Sequence, residues 1–428
     1  MKKGKILLSV TFAGAALLAL SACGSSSSAG KSGQTTISIF NIKTETAKQL
    51  NSLVKDYEST HKGVKINVTT VGGGQDARAA LKAKFTSGDD PTIFMMGGLA
   101  DAKTYENKLA DLSKTTLAKD AIKGTLDGAT LDGKTLGVPV NIEGFGWIIR
   151  KDIFEKAGIN VDNIKSFDDF KAAVETLDAK KSELGLKGVF AYSGAEKWVT
   201  SQFSAEIVGP EYNNSLSKTF KSRDFKFTEN ETMKNYIDLA NKYNAAPFSS
   251  LDYTTSVNEL FAQGKAAIIH QGNWIVPTLN SIDPNLAKND IDIIPTYGQS
   301  NSSGYLAAGP SWYWGVNKTQ GAAKEKAAEK FLNWMYTNDK AKTSIVNDFD
   351  YIPAYTNFNA SDIKDPISHK LLTALNDGKT IPFIQNAEPD GWGENTLGVQ
   401  VQAYASGKTS WAKVVSNVTK DWNSRPKP

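Results

Sequence analysis

The chain has 428 residues, of which 40% are hydrophobic and 22% are charged. A chain of this length can bury the cores of two or more domains. Residues 1–22 contain three lysines and no acid, so residues 23–428 hold 46 basic and 45 acidic residues. This near neutrality argues against a nucleic acid as the partner.

The N-terminus has the three-part layout of a secretory signal. Three lysines within the first five residues precede an uncharged apolar stretch over residues 6–22, and Cys23 follows it. An apolar run of about 17 residues is the lower limit for crossing a bilayer, so an uncleaved membrane anchor is the alternative. Residues 24–33 are mostly serine and glycine, and we expect them to form a flexible tether.

Strand and helix patterns alternate over the next part of the chain. Short β-branched runs with period two indicate strands, and apolar residues spaced three or four apart indicate helices. This order predicts a mainly parallel sheet that is covered by helices. The predicted elements are a strand at Thr35–Phe40, a helix at Thr46–Tyr57, a strand at Val64–Thr70, a helix at Asp76–Phe85 and a strand at Thr92–Met96.

Similar patterns continue toward the C-terminus. Ser166, with Asp169 three residues later, is typical of a capping box that begins a helix. Strands are predicted at Val189–Ser193 and Ala266–His270, and a long helix at Ala322–Tyr336. No single linker rich in Pro and Gly separates two domains along the sequence. This is consistent with two lobes between which the chain passes more than once.

Motifs of several enzyme classes are missing from the sequence. His61, His270 and His369 lack zinc-binding spacing, and there is no G-x-S-x-G elbow or phosphate-binding loop. We therefore expect no catalytic residue, no metal and no cofactor. A glycosidase needs only two carboxylates with no fixed sequence spacing, so a glycan-active enzyme remains open.

Tryptophan is the most informative residue type. The chain has nine tryptophans and 14 tyrosines, and most of the tryptophans lie beside turn-forming or polar residues. An indole face suits the apolar face of a sugar ring, while Asp, Glu and Asn side chains suit its hydroxyls. Core packing is the alternative for each tryptophan, and Trp334 on the long predicted helix is assigned to packing. The six others considered are Trp147, Trp198, Trp274, Trp312, Trp314 and Trp392.

Ordered segments along the chain resemble one known family. Phe261–Ala267 (FAQGKAA) is followed by Gly272, Asn273 and Trp274, and this pair of segments resembles the family 1 extracellular solute-binding proteins of ABC importers. That family includes the maltose, raffinose and multiple-sugar binding proteins. Further matching segments are Phe85–Pro91, Leu131–Pro139, Gly146–Ile159, Ser166–Phe170 and Trp314–Lys318.

Leu20, Ser21, Ala22 and Cys23 resemble the lipobox of bacterial lipoproteins. This resemblance implies that Cys23, the single cysteine of the chain, is lipidated and becomes the first residue of the mature protein. Two or more acyl chains would hold the protein stably to a bilayer. We therefore expect the protein to lie on the outer face of the cell membrane of a Gram-positive bacterium.

The family resemblance implies an α/β fold of the two-lobe, periplasmic-binding-protein-like type II, with a ligand cleft between lobes joined by a hinge. The lobes would close around the ligand, and the permease of the ABC importer would recognise the closed form. We expect a monomer. The predicted divisions are a signal peptide at 1–22, an anchor and tether at 23–34, an N-terminal lobe at 35–142 and 307–358, and a C-terminal lobe at 143–306 and 359–428.

The resemblance also suggests ligand-binding residues. Trp274 is the first choice for a stacking platform, and Asn141 and Glu143, which enter the hinge, are hydroxyl partners. Asp76 could instead cap a helix, and Glu45 could favour a helix dipole. The other candidates are Trp198, Trp312, Phe349, Asp350, Gln75, Trp392 and Asp390.

The expected function is therefore not catalytic. The protein would capture an oligosaccharide outside the cell by hinge closure and deliver it to a membrane permease. The alternatives are a surface glycan-active enzyme, a binding protein for a non-sugar solute such as glycerol phosphate, and a structural or adhesive lipoprotein.

Overall fold

Two five-stranded sheets and one short hairpin organise the chain in the computed structural model, which describes residues 33–72 and 76–428. The predicted signal peptide, Cys23 and the tether up to residue 32 lie outside these residues. The strands are β1 (Thr35–Asn41), β2 (Val64–Thr70), β3 (Ile93–Met96), β4 (Thr130–Leu131), β5 (Lys134–Thr135), β6 (Val138–Pro139), β7 (Glu143–Arg150), β8 (Ile268–Gly272), β9 (Ile291–Ile294), β10 (Leu306–Gly309), β11 (Tyr313–Val316) and β12 (Thr380–Ile381).

Helices cover both sheets. They are α1 (Ala47–Thr60), α2 (Ala77–Ser87), α3 (Leu99–Thr104), α4 (Thr116–Asp120), α5 (Lys151–Lys156), α6 (Phe167–Ala179), α7 (Lys197–Val208), α8 (Leu216–Lys221), α9 (Asn230–Tyr243), α10 (Val276–Ile282), α11 (Pro284–Asn289), α12 (Ala322–Thr337), α13 (Asp339–Asn347), α14 (Pro366–Asn376), α15 (Val399–Ala405) and α16 (Trp411–Ser424). Two π-helical segments, Thr255–Phe261 and Gly393–Gly398, add to them. None of the described helices combines the length and the apolar character needed to cross a bilayer.

The first sheet has the strand order β2-β1-β3-β11-β6. Strands β1, β2 and β3 run parallel, as the alternating pattern predicts, and β11 pairs antiparallel with β3 and β6. Helices α1, α12 and α13 bury their apolar faces against this sheet, and Leu53, Phe331 and Ile345 are each no more than 1% exposed. This burial holds the carboxyl ends of the three parallel strands at one edge of the lobe.

The second sheet is built around β7. It has the order β12-β10-β7-β8, and β9 pairs with the far end of β7 beyond β10. Alternate side chains of a strand point to opposite faces, so Phe145, Trp147 and Ile149 enter one apolar core while Ile148 enters another. Since both faces are covered by helices, β7 is apolar along nearly its whole length.

The chain passes three times between the sheets. The first passage lies between β6 and β7, and the third lies between α13 and α14. Ile142 of the first passage bridges to Ile352 of the third. The second lies between Gly309 and Tyr313, because β10 pairs with β7 and β12 of the second sheet. Residues 306–309 thus belong to the second sheet, while the predicted lobe boundary stands at residue 307.

Most predicted elements agree with the structure. The exception is Val189–Ser193, which forms only isolated bridges from Phe190 to Asn244 and Ile268 and not a strand. The capping box is present, since the Ser166 hydroxyl accepts from the Asp169 amide at 3.1 Å and donates to its carboxylate at 2.8 Å. Local patterns therefore predicted the elements correctly except where strand formation depends on pairing with distant residues.

Tyr336 links three elements of the first lobe, and its hydroxyl provides a test of this packing. It accepts from Trp314 Nε1 at 2.8 Å and donates to the Val140 carbonyl at 2.7 Å. Tyr336→Phe leaves both buried partners without a hydrogen bond, so we expect the free energy of unfolding to fall by about 2 kcal/mol. Urea unfolding measures it, with Tyr305→Phe as the control. An equal effect of both substitutions would contradict this network.

Candidate ligand-binding site

A cleft of about 450 Å³ lies where the two lobes meet. The first sheet contributes the segments that follow β1 and β2, and the second lobe contributes the start of β7, the start of α7 and the segment after β8. The passage between β10 and β11 completes it. Its principal lining side chains are Lys43, Glu45, Asp76, Arg78, Glu143, Glu196, Trp198, Gln202, Tyr253, Trp274, Trp312, Phe383, Gln385, Asn386 and Glu394.

A buried ion pair forms the floor of the cleft and joins the two lobes. Lys43 Nζ lies 2.5 Å from Glu143 Oε1 and 3.7 Å from Glu45 Oε1. The side chains of Lys43 and Glu143 are 8% and 2% exposed. Asn141 donates to Glu143 Oε1 at 3.3 Å, and the hydroxyl of Ser311 donates to Glu143 Oε2. Glu143, at the start of β7 in the second lobe, is thus held by Lys43 and Asn141 of the first lobe and by Ser311 of the second passage.

Burial by itself would lower the pKa of the Lys43 ammonium, but the carboxylates of Glu143 and Glu45 outweigh it and raise this pKa. Burial raises the pKa of Glu45, and the charge of Lys43 opposes that rise. Lys43 therefore remains charged at neutral pH and can donate to a ligand oxygen from the floor of the cleft.

Three partly exposed indoles line the cleft. The ring centroids of Trp198 and Trp274 are 6.5 Å apart, and the two rings meet edge to face. Trp312 lies in the passage between the sheets. Trp274 Nε1 donates to Gln271 at 2.9 Å, and the Lys43 ammonium lies 5.9 Å from the Trp274 ring centroid. A Cβ on Gly272 would lie 2.3 Å from the Trp274 ring, so a side chain there would displace the indole. Trp274 therefore has a defined orientation toward the cleft.

A second charged group lies at another edge of the cleft. Arg78 Nε is 3.2 Å from Asp101 Oδ1, and Asp101 Oδ2 accepts from the Gly97 amide at 2.6 Å. The charge of Asp101 raises the pKa of Arg78, and the more distant Glu394 adds to this effect. The guanidinium therefore faces carboxylates of the second lobe across the cleft.

The structure brings six of the predicted residues to the cleft: Glu45, Asp76, Glu143, Trp198, Trp274 and Trp312. Asn141 lies behind the floor, bonded to Glu143. Asp76 also caps α2, because its carboxylate accepts from the Ala79 amide at 2.9 Å. Gln75 lies outside the described residues.

The structure does not bring the other four predicted residues to the cleft. Trp392 is fully buried and donates to the Val418 carbonyl at 3.0 Å, while Phe349 packs in the core of the first lobe. Asp350 lies at the lobe junction with φ at 51°, and burial and Asp365 raise its pKa to about 6. Asp390 is exposed, and its carbonyl accepts from Arg425. Loop position alone did not distinguish core or surface residues from cleft residues.

Sequence reasoning missed several lining residues. Gln202 lies four residues after Trp198 on α7, so the helical period could have identified it. Gln385 had no local signal, because it reaches the cleft through the fold of the second lobe. Gln202 Nε2, Gln385 Oε1 and Asn141 Oδ1 are buried without a hydrogen-bond partner among the described residues. Buried polar atoms in this state are available to a ligand.

Glu388 lies behind the cleft and is only 3% exposed. Its carboxyl accepts a hydrogen bond from the Ser204 hydroxyl on α7. Burial raises its pKa from 4.5 to about 8, and Ser204 and Arg78 oppose this rise.

No group of three potential metal ligands is present among residues 33–72 and 76–428.

The raised pKa of Glu388 predicts a pH-dependent stability. Between pH 4.5 and 8 the folded state holds a proton that the unfolded state releases, so stability falls as the pH rises. Glu388→Gln mimics the protonated form, and we expect it to remove a slope of at most about 1.4 kcal/mol per pH unit. Urea unfolding from pH 5 to 8 measures this slope, with exposed Glu183→Gln as the control. A slope unchanged in Glu388→Gln would contradict the assignment.

Known proteins provide a comparison for this cleft. The sequence matches the family described as bacterial extracellular solute-binding protein over residues 43–342. An uncharacterised ABC transporter extracellular-binding protein of Pyrococcus horikoshii is 27% identical over 250 residues, which cover 58% of this chain and only 57% of that protein. The multiple sugar-binding protein of Streptococcus mutans is 24% identical, with coverage of 74% and 75%.

The solved structure of a chitin oligosaccharide binding protein has a TM-score of 0.75 to this chain at 19% identity, covering 90% of this chain and 99% of that one. This likeness shows the fold, which is the two-lobe type II fold that the sequence resemblance implied. The three relatives named here are all described as binding proteins. Since the family match covers more than half of the sequence, the chain belongs to the bacterial extracellular solute-binding proteins.

Proposed function

We propose that the protein captures an oligosaccharide in the cleft and presents it to the permease of an ABC importer. The observation that carries this proposal is the presence of three partly exposed indoles, Trp198, Trp274 and Trp312, in one cleft. Aromatic faces stack on the apolar faces of sugar rings, and several platforms suit a ligand of more than one ring. The sugar-binding names of the multiple sugar-binding and chitin oligosaccharide binding proteins support the same ligand class.

Polar groups beside the indoles match the hydroxyl rim of a sugar. Glu143 and Lys43 at the floor can accept and donate, and Gln202 and Gln385 have buried atoms without a partner among the described residues. A bound hydroxyl would satisfy these atoms. A ligand that displaced water but left these atoms unpaired would lose binding free energy. The cleft therefore favours ligands that carry many hydroxyls.

The charges of the cleft argue against an anionic solute. Three basic side chains line it, and two of them, Lys43 and Arg78, are already paired with carboxylates. Five carboxylates line the same space. A phosphate group would meet these acids, so glycerol phosphate is a weaker candidate than a neutral sugar. The lining acids are Glu45, Asp76, Glu143, Glu196 and Glu394.

Hinge closure is the proposed binding step. The proposed lobes are residues 35–142 with 310–358, and residues 143–309 with 359–428, joined by three passages. Leu99 of the first lobe packs with Phe220 and Ala387 of the second, so the lobes have an apolar contact that closure would keep. A ligand that binds between the lobes stabilises the closed state because it contacts both.

The N-terminal sequence supports a proposed cellular location. We propose that residues 1–22 are a signal peptide, that Cys23 is lipidated, and that the protein acts as a monomer on the outer face of the cell membrane of a Gram-positive bacterium. The lipobox-like residues Leu20–Cys23 and the serine-rich stretch after them support the anchor. The extracellular character of the family agrees with a position outside the cytoplasm.

Ligand binding is tested with the chain beginning at Gly33 and a panel of oligosaccharides, with glycerol phosphate and peptides as controls. We expect a saturable thermal shift with one sugar class and no product. Trp274→Ala should weaken binding at least about 30-fold, since it removes a stacking contact and a packed platform. Trp334→Ala is the matched control, because Trp334 is also partly buried but packs on Tyr57 away from the cleft.

Three outcomes would contradict this function. No shift with any solute would favour the structural or adhesive alternative. A shift only with glycerol phosphate would overturn the sugar assignment. Turnover of an oligosaccharide would favour a glycan-active enzyme.

The anchor is tested separately by Cys23→Ser in the full chain expressed in a Gram-positive host. We expect the parent protein to sediment with membranes and to carry diacylglyceryl mass on Cys23. The variant should lose the lipid, because the single cysteine is replaced. Cleavage without any lipid mass on the parent protein would refute the anchor.

A further inference from the structure

A shallow groove of about 400 Å³ lies at the beginning of the described chain, away from the cleft. It is lined by Gln34, Lys55, Glu58, Ser59, Lys62 and Lys65. The three lysines and Ser59 are exposed. The groove therefore presents three ammonium groups to solvent beside the residue where β1 begins.

The positive charge of this surface is local. Residues 34–428 contain 45 basic and 45 acidic residues, so their net charge is zero. Lys48, Lys55 and Lys62 recur at seven-residue spacing, which places the first two on one face of α1 and the third just beyond its end. Of the nearby acids, Glu58 pairs with Lys65 at 2.9 Å and Asp56 pairs with Lys340 at 2.8 Å. We call the three lysines that line the groove, Lys55, Lys62 and Lys65, the basic face.

The groove lies at the end of the first lobe opposite the cleft. Strand β1 runs from Thr35, which bonds to the Gly63 carbonyl at 2.8 Å, to Asn41, after which Ile42–Glu45 line the cleft. Seven strand residues span about 20 Å. Helix α1 returns over a similar distance, so Lys62 and Gln34 share the end that is remote from Trp274 and Glu143.

We propose that the basic face is a membrane-contact surface that binds the headgroups of anionic phospholipids. This inference rests on the proposed lipid anchor. Gln34 follows Cys23 by eleven residues, and a chain of that length reaches at most about 40 Å, so the beginning of β1 cannot move far from the bilayer. Each lysine near an anionic surface strengthens such a contact about fivefold.

The contact has a functional consequence. With the amino end of β1 against the bilayer, the cleft at the opposite end of the lobe faces away from the headgroups and remains open to solutes. The anchored protein would collect its ligand in this orientation. It would have to turn out of this orientation when the cleft engages a membrane partner. Screening by salt would weaken the orientation without releasing the anchor.

The test uses the full lipidated chain in vesicles of either neutral phosphatidylcholine or an equal mixture with phosphatidylglycerol. A dye on Ser59→Cys, the sole free thiol once Cys23 is lipidated, reports distance through a quencher carried on the headgroups. We expect quenching several-fold stronger in the anionic vesicles, and loss of this difference at 1 M salt, where the Debye length is about 3 Å. Lys55→Glu with Lys62→Glu should abolish the difference.

Matched controls separate this proposal from the anchor. Lys187→Glu with Lys408→Glu changes the net charge equally at exposed positions of the second lobe and should leave quenching unchanged. Failure of the protein to float with either vesicle would refute the anchor. Flotation with equal quenching in neutral and anionic vesicles would overturn the membrane-contact surface. Binding of a soluble polyglycerol phosphate through Lys55 and Lys62, without any vesicle difference, would assign the basic face to a wall polymer and overturn it as well.

Discussion

Lys43 and Glu143 form a buried ion pair between the segment after β1 and the start of β7, and the arrangement of the cleft depends on it. Taking two charges out of water is costly, and the cost is offset only when further hydrogen bonds satisfy the pair. Asn141, Ser311 and the nearby Glu45 surround it. The pair therefore fixes the floor where the lobes join and holds two charged groups ready for a ligand.

The aromatic residues of the cleft are positioned by the same junction between the lobes. Gly272 allows the Trp274 ring to lie against the end of β8, and Asn273 accepts from the Gly144 amide at 3.1 Å beside Glu143. Trp198 reaches the same space from the start of α7. Stacking surfaces and charged partners thus share one rigid support, which lowers the entropy lost when a ligand binds.

Much of the fold could be predicted from local patterns. The spacing of Leu50, Leu53, Val54 and Tyr57 places α1, and the β-branched runs place β1 and β2. Val189–Ser193 failed as a strand because its neighbours allow only single bridges at Phe190. About half of the predicted site residues line the cleft, whereas Trp392 and Phe349 are core residues. Exposure of an aromatic side chain depends on what packs over it, and a sequence pattern does not contain that information.

The sequence by itself determined the order of elements, the family resemblance and the lipobox-like N-terminus, because these features depend on neighbouring residues and short spacings. Only the tertiary structure decided which side chains meet. Lys43 and Glu143 are 100 residues apart, and Ser311 is 168 residues from Glu143. Gln385 and the groove beside Gln34 likewise form from distant segments. Such contacts are set by the pairing of strands across two sheets and three passages of the chain, and this long-range geometry has no local signature.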